Sequence, residues 1–368
     1  MKRAAAAISL MTGLAMLTGC SRAEVEETIQ PLVADAIEES DSEAEAVKEE
    51  DESPLIPEID TDIKIHAGSR IAVVSKCVKG EYWKMVKKGM EDAVKEINKA
   101  YGYKKDDQIT MTFEGPDNEE DVETQINTID AVIAENPDVL CISASDMDSC
   151  EAQLEAAKEN GIPVIAFDSN VAEKKLVKAY RGTDNVQVGK MAAYQLGSAL
   201  GKMGKVAVFS AQQKTKSVQD RVEGFMNNIG KYGDIEVVET IYSDQVDDME
   251  ASMKEVLEKY PTLDGVFCTN ADITEMYLNL EKSDEHDAPA LVGVDATTKQ
   301  QEAIRNGEEI GCVSQQPYAM GYQTIWAAVE TTAPKKSVVI EKNVLSNPAW
   351  IDADCLDDPD YSGYLYTE

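Results

Sequence analysis

The chain has 368 residues, 69 of them acidic and 35 basic, which gives a formal net charge of −34; only 6% are aromatic. This charge repels phosphate backbones and anionic lipid head groups, so we expect no nucleic-acid partner and no basic membrane-surface role. The length suits about two domains of ordinary size with a substantial buried core.

The first 20 residues have the features of an export signal. Lys2 and Arg3 precede an apolar run of about 14 residues, which ends in Leu17-Thr-Gly-Cys20. The run is shorter than the roughly 20 residues that a membrane span requires. Leu-Thr-Gly-Cys is similar to the bacterial lipobox, whose cysteine carries the lipid of a mature lipoprotein. We therefore predict a lipoprotein signal over residues 1–20 with Cys20 as the lipidation site; an ordinary cleaved signal is the alternative.

The next segment is strongly acidic. Residues 23–62 contain 16 acidic residues, one lysine and no aromatic residue. Such a stretch buries too little apolar surface to offset its ordering entropy, and its like charges repel one another. We predict a disordered tether over residues 21–65, with an acidic partner-binding segment as the competing interpretation.

From residue 66 onward, short apolar runs alternate with helical periods of apolar residues. Repeated strand–helix units predict parallel sheets with helices on both faces, and the strands are too numerous for one comfortable sheet. We predict an α/β fold with two doubly wound lobes, the first formed by 66–181 and 315–343 and the second by 182–314 and 344–368. The predicted strands are 71–74, 109–113, 139–143, 164–167, 205–209, 235–242, 265–268, 291–294 and 312–314. The predicted helices are 82–97, 121–135, 147–159, 186–200, 219–229, 247–259, 272–280 and 298–306.

Nothing in the sequence indicates a metal, a cofactor or covalent chemistry. Six cysteines remain besides Cys20, without a CxxC pair, and the histidines are His66 and His286. Neither a zinc site nor a phosphate-binding glycine loop nor a GxSxG nucleophile motif can be built from these residues. We therefore predict no metal, no cofactor and no enzymatic activity. We expect mostly reduced, buried cysteines, as in the strands at 141, 268 and 312, with disulfide bonds as the alternative in an exported protein.

Short polar side chains stand where the predicted strands end. Ligands of open α/β sheets bind at these carboxyl ends, and carboxylates and amides suit the hydroxyl groups of a small polyhydroxy compound. Tyr82 and Trp83 could stack on a sugar ring. A helix N-cap is the competing role for each polar residue, and we predict Asp121, Asp184 and Asp272 to be caps. The strand-end residues are Ser75-Lys76, 143–146, Asp168-Ser169, Asn270, Asp295 and Gln315-Gln316.

Together these segments resemble the type I bacterial solute-binding proteins, most closely the ribose-binding branch. The resemblance covers about residues 68–335. It rests on residues 69–75, Tyr82-Trp83 with Gly89, 136–143, 161–168, 182–185, 221–225, Asn270, 292–295 and 315–317 with Gly321. It implies a type I periplasmic binding protein fold, with two lobes joined by a three-strand hinge that close on a ligand. The ligand-binding residues it implies are Tyr82, Trp83, Ser143, Asp168, Ser169, Arg221, Asn270, Asp295 and Gln315.

Departures from the ribose pattern bear on the ligand. The ribose type has asparagine at the position of Ser143, arginine at that of Ser169 and asparagine near Gly80. Lost polar contacts lower affinity steeply in such a pocket, so another sugar or a polyol is the expected ligand.

The resemblance implies a receptor, not an enzyme. We expect a monomer that is exported, attached through the lipid on Cys20 to the outer face of the cell membrane, and delivers a small sugar or polyol to the permease of an ABC importer. A receptor of the same fold that signals to a membrane sensor is the alternative. A sugar-responsive transcription regulator would need a basic helix-turn-helix at its N-terminus, where this chain has a signal and an acidic tether.

Overall fold

The computed structural model describes residues 56–280, 288–334 and 338–367. The predicted signal with Cys20, and the predicted tether as far as residue 55, lie outside these residues. Within the three described ranges, no helix combines the length and apolar character that a membrane crossing needs.

Strands and helices alternate along most of the chain. The strands are β1 Arg70–Val74, β2 Thr110–Glu114, β3 Val139–Ile142, β4 Val164–Phe167, β5 Ala179–Thr183, β6 Met203–Ser210, β7 Asp234–Tyr242, β8 Gly265–Cys268, β9 Ala290–Val294, β10 Gly311–Ser314, β11 Asn343–Ser346 and β12 Ala349–Ile351. The helices are α1 Glu81–Ala100, α2 Val122–Ala134, α3 Glu151–Glu159, α4 Asn185–Ala199, α5 Lys216–Ile229, α6 Met249–Lys259, α7 Ala271–Leu278, α8 Thr298–Asn306 and α9 Pro317–Thr331.

The strands form two six-stranded sheets. The first has the order β11-β5-β4-β3-β1-β2 and the second β12-β10-β9-β8-β6-β7. All pairings are parallel except that of β10 with β12, which is antiparallel. We call each sheet with its packed helices a lobe, the first lobe and the second lobe. The two-lobe α/β architecture predicted from the sequence is confirmed.

The central strands are buried on both faces, as the continuous apolar runs predicted. Val139–Ile142, for example, is fully buried along its length. Helix α1 covers one face of the first sheet with Val86, Met90 and Ile97, which recur at helical spacing and are all inaccessible to solvent. Burial of such side chains supplies the main driving force for each lobe.

The chain passes between the sheets after Thr183, after Ser314 and again between Ser346 and Ala349. After the second passage, α9 packs against α1 of the first lobe. The three adjacent passages form the hinge, and the strand ends beside it face the other lobe.

A pair of glycines allows two helices to approach closely in each lobe. A Cβ atom on Gly89 of α1 would lie 2.0 Å from the carbonyl oxygen of Tyr318 in α9, and one on Gly321 would lie 2.2 Å from that of Val86. In the second lobe, α4 and α5 meet in the same way at Gly189 and Gly224, with distances of 1.9 and 2.1 Å to the facing carbonyl oxygens. These distances leave no room for a side chain.

Several predicted boundaries differ from the structure. Helix α5 begins at Lys216 rather than at 219, and β11 belongs to the first sheet as far as Ser346, so the first lobe extends past its predicted limit at 343. Residues 56–65 were predicted to belong to the disordered tether, but Ile65 is buried in the first lobe and the Tyr101 hydroxyl donates a 2.7 Å hydrogen bond to the carbonyl oxygen of Ile63. Helix α3 begins at Glu151 rather than at 147, because the Asp146 carboxylate accepts a hydrogen bond from the backbone N–H of Asp148 and holds a turn there.

Four further elements, β5, α9, β11 and β12, were not predicted. Helix α9 is buried on nearly all sides from Pro317 to Val329, so it lacks the apolar and polar faces that reveal a helix in a sequence. The last strands are short, and β11 has an exposed face.

Candidate ligand-binding cleft

The carboxyl ends of the strands of both sheets face a cleft of about 820 Å³ between the lobes. Most of the residues predicted from the sequence line it. Ser143 and Ser169 lie behind its wall and are inaccessible to solvent. The predicted residues that line the cleft are Tyr82, Trp83, Asp168, Arg221, Asn270, Asp295 and Gln315.

Asp168, directly after β4, is the centre of a buried polar cluster in the first lobe. Its Oδ1 accepts a 2.7 Å hydrogen bond from the Tyr82 hydroxyl, and its Oδ2 accepts one of 2.7 Å from the Ser143 hydroxyl. The Lys76 Nζ lies 3.0 Å from the same Oδ2. Ser143 therefore supports the carboxylate from behind rather than facing the cleft.

Lys76 and Asp168 form an ion pair inside the protein. Burial opposes the charged form of each, but their mutual attraction and hydrogen bonds outweigh it, which raises the pKa of Lys76 and lowers the pKa of Asp168. Glu119 adds a second carboxylate, with its Oε2 3.6 Å from Nζ. The pair thus remains ionised at neutral pH and presents fixed charge to the cleft.

The aromatic pair at the start of α1 is held in a fixed orientation. The Tyr82 and Trp83 rings meet edge to face, with centroids 5.1 Å apart. The Trp83 indole N–H donates a 2.7 Å hydrogen bond to Glu119, and the Lys76 Nζ lies 5.6 Å from the indole centroid. The polar group of each ring, the hydroxyl of Tyr82 and the indole N–H of Trp83, is hydrogen-bonded to a carboxylate. The apolar surface of each ring can therefore form part of the cleft wall.

The second lobe contributes Asp295, the residue after β9. Its Oδ2 accepts a 2.9 Å hydrogen bond from the backbone N–H of Ala271, and its Oδ1 accepts one of 2.7 Å from the Gln315 amide. Asp168 and Asp295 both have left-handed backbone conformations, with φ of 53° and 78°. Aspartate tolerates this region better than most residues, and the conformation turns both carboxylates out of the sheet toward the cleft.

Arg221 of α5 is a buried cation with hydrogen-bonding capacity to spare. Its Nε donates a 2.8 Å hydrogen bond to the Asn185 side chain, and its Nη1 donates one of 2.7 Å to the carbonyl oxygen of Thr269. A guanidinium has five N–H donors. Among the described residues no carboxylate forms a salt bridge with Arg221, so the remaining donors are available to a ligand in the cleft.

Four predicted roles can be compared with the hydrogen bonds of the structure. Asp121 and Asp184 are N-caps as predicted, of α2 and α4. Asn270, which the resemblance placed at the ligand, caps α7 by accepting a 3.1 Å hydrogen bond from the backbone N–H of Ile273. Asp272 was predicted to be that cap; it lies in the first turn instead and faces the cleft.

The site also uses residues that were not among the predicted ligand-binding residues. Lys76 was named among the strand-end residues, because it follows β1 by two positions and places a charge at the edge of the sheet. Glu119 and Tyr366 carry no such signal, since one lies in a loop and the other in the segment after β12. They reach the site through tertiary contacts alone.

Hydrogen bonds join the two lobes around the cleft. The Gln212 side chain donates to the carbonyl oxygen of Glu119 at 2.9 Å, and the Thr215 hydroxyl donates to that of Ser145 at 2.6 Å. Ser169 lies 3.3 Å from Ser217, hydroxyl to hydroxyl. The structure therefore has the lobes closed over the cleft, with Ser169 in the contact between the lobes.

Asp272 has an unusual environment for a carboxylate. Its side chain is open to the solvent of the cleft, yet atoms of both lobes surround it, and none of the described residues donates a hydrogen bond to it. Burial between the lobes, followed by repulsion from Glu119 and Glu275, raises the pKa of Asp272 to about 7. The folded protein therefore binds this proton more tightly than the unfolded chain does.

The effect of pH on stability follows from this pKa. The contribution of Asp272 to the free energy of unfolding is fully present below its ordinary pKa of 3.8. It is lost as the pH rises through about 7. We expect Asp272→Asn to raise the melting temperature at pH 8 and to leave it nearly unchanged at pH 4. Differential scanning calorimetry checks this, with Asp357→Asn as the control because the Asp357 side chain is 91% exposed. A gain at pH 4 equal to that at pH 8 would contradict the prediction.

The fold is that of a two-lobed α/β binding protein, and the candidate ligand cleft lies between its lobes. The family model described as "Periplasmic binding protein domain" matches residues 71–336. The chain belongs to this family.

Similar proteins include ones named for the ribose, xylitol or D-fucose that they bind. The Ribose import binding protein RbsB of Bacillus subtilis is 26% identical over 220 residues, 60% of this chain and 71% of that protein. The Xylitol-binding protein of Mycolicibacterium smegmatis is 25% identical over 211 residues, 57% of this chain and 60% of that protein. A solved ABC transporter solute-binding protein of Agrobacterium vitis with bound D-fucose is 26% identical, with a TM-score of 0.73 over 81% of this chain and 100% of that one.

Proposed function

We propose that this protein is an extracytoplasmic receptor that captures a small sugar or polyol between its lobes and delivers it to an ABC importer. The observation that carries the proposal is the convergence of Asp168, Asp295 and Arg221 on one cleft from both sheets. Carboxylates accept hydrogen bonds from hydroxyl groups, and the guanidinium donates to hydroxyl or ring oxygens. The ligands named for the similar proteins, ribose, xylitol and D-fucose, belong to this chemical class.

The charge of the cleft favours an uncharged ligand. Among its lining residues, eleven carboxylates stand against four cations, counted as Asp, Glu, Lys and Arg. An anionic sugar phosphate or sugar acid would be repelled by this excess, whereas hydroxyl groups can pair with carboxylates at little electrostatic cost. Neutral sugars and polyols are therefore the proposed substrates.

Closure of the lobes is the proposed mechanism. A ligand that contacts Asp168 of the first lobe and Arg221 of the second stabilises the closed form over the open one by its contacts to both lobes. Separation of the lobes would break the inter-lobe hydrogen bonds at Gln212 and Thr215. The surface of the closed form is what the permease would recognise, and release there would require the lobes to separate.

Membrane attachment is a second part of the proposal. A lipid on Cys20 would hold the receptor at the outer face of the cell membrane, and the acidic segment that follows would serve as a spacer. Labelling cells with a radioactive fatty acid tests this directly: the wild type should carry label, and Cys20→Ala should not.

Ligand binding is tested by a thermal-shift screen of the purified protein. The panel contains D-ribose, D-allose, D-fucose, D-arabinose and xylitol, with ribose 5-phosphate as the anionic comparison. A ligand at 100 times its dissociation constant should add about 2.7 kcal/mol to the free energy of unfolding, and the phosphate should add none. Arg221→Met should weaken the best ligand by roughly 100-fold, because it removes a charged donor from a desolvated site.

Arg305→Met is the matched control, since Arg305 is half exposed and forms its ion pair with Asp357 on the surface. It should leave the shift unchanged. Absence of a shift with every neutral polyhydroxy compound would overturn the sugar assignment, and loss of binding in both arginine variants would remove Arg221 from the proposed site.

A further inference from the structure

Tyr366 lies behind the cleft and contacts site residues of both lobes. Its hydroxyl donates a 2.9 Å hydrogen bond to Oδ1 of Asp295 in the second lobe, and its ring centroid lies 5.9 Å from that of Tyr82 in the first. The side chain is only 1% exposed and is not among the residues that line the cleft. Any effect of Tyr366 on a ligand must therefore act through its neighbours.

The segment that carries Tyr366 is fastened to the strands of the hinge. The Tyr366 backbone N–H donates a 3.0 Å hydrogen bond to the carbonyl oxygen of Ala296, just after β9. The Ser314 hydroxyl, at the end of β10, donates one of 2.5 Å to the carbonyl oxygen of Tyr364. Leu356 anchors the segment in an apolar cluster with Ile304 and Ile351. The segment is thus fixed to the two strands that lead into Asp295 and Gln315.

Tyr366 and Gln315 together determine the orientation of the Asp295 carboxylate. Both donate to Oδ1, at 2.9 and 2.7 Å, while the backbone N–H of Ala271 donates to Oδ2. Burial, followed by the Asp295 charge, raises the pKa of the Tyr366 hydroxyl well above its usual range, so the group stays a donor. Both carboxylate oxygens of Asp295 are thus held by donors of the surrounding protein.

We propose that Tyr366 is a positioning residue for ligand binding, which fixes the Asp295 carboxylate and the Tyr82 ring relative to each other across the hinge. This inference rests on the proposed function, because Tyr366 would affect binding only if a sugar contacts Asp295 and Tyr82. A hydroxyl group that restricts a ligand-binding carboxylate in advance increases affinity, since less side-chain freedom is lost on binding.

The test compares the dissociation constant of one neutral sugar, the best in the thermal-shift screen, for matched variants by isothermal titration calorimetry. Tyr366→Phe keeps the ring and removes the hydroxyl, and we expect affinity to fall roughly tenfold. Tyr361→Phe makes the same change on the same segment, where the hydroxyl interacts with Cys355, and should bind like the wild type.

The outcomes distinguish failure of the positioning role from failure of the proposed function. Wild-type affinity in Tyr366→Phe overturns the positioning role while the receptor function stands. Equal weakening in Tyr366→Phe and Tyr361→Phe also overturns it, because removal of any hydroxyl group from the segment would then explain both. If the wild type binds no neutral sugar or polyol at all, the proposed function itself fails, and the positioning role fails with it.

Discussion

Asp168→Asn is expected to destabilise the folded protein by about 3 kcal/mol, because it leaves the buried ammonium of Lys76 without its closest counter-charge. Lys76 is 5% exposed, and its Nζ lies 3.0 Å from Asp168 Oδ2 and 3.6 Å from Glu119 Oε2. Glu119 alone compensates the charge less well at that longer distance. Urea unfolding followed by tryptophan fluorescence measures the loss.

The double variant Lys76→Met, Asp168→Asn is the informative control. It removes both charges at similar volume and should recover most of the lost stability, since neutral replacement of a buried ion pair is often tolerated. Sugar binding should remain impaired in the double variant, because the proposed ligand contact is still absent. Loss of stability in the double variant as large as that in Asp168→Asn would show that the hydrogen bonds of Asp168, rather than the charge of Lys76, are responsible.

Gly189→Ala should cost about 3 kcal/mol of stability, even though alanine is the better helix former by about 1 kcal/mol. The added Cβ would lie 1.9 Å from the carbonyl oxygen of Arg221 and 2.6 Å from the backbone nitrogen of Phe225, so α4 and α5 must separate. Because Arg221 is carried by α5, we expect ligand affinity to fall as well. Chemical denaturation and titration calorimetry measure the two effects.

Gly233→Ala is the matched control, since a Cβ there meets nothing within 4 Å. Gly89→Ala tests the equivalent contact in the first lobe, where the Cβ would lie 2.0 Å from the carbonyl oxygen of Tyr318. It should be as destabilising as Gly189→Ala. Stability close to that of the wild type in both helix variants would show that the helices adjust at low cost and would contradict the prediction.

Much of the fold could be predicted from local sequence. Central strands such as β3 are continuous apolar runs because helices cover both faces of a parallel sheet, and α1 shows its buried side at helical spacing. Helix α9 could not be predicted in this way, because a helix that is buried on nearly all sides shows no alternation of apolar and polar residues. Strands β5, β11 and β12 form by pairing with other strands of the fold. The few residues of each strand do not by themselves indicate that pairing.

The site residues likewise fall into those that the local sequence predicts and those that it does not. By itself the sequence determined which residues stand at the carboxyl ends of strands, and so brought Asp168, Asp295 and Gln315 to one cleft together with the aromatic pair of α1. Tertiary structure alone decided what others do there: Ser143 supports Asp168 from behind, Ser169 lies in the contact between the lobes, and Tyr366 reaches the site from a distant segment. The physical reason is that strand position follows from local periodicity, whereas hydrogen-bond partners and buried charge depend on which segments the completed fold brings within about 3 Å of each other.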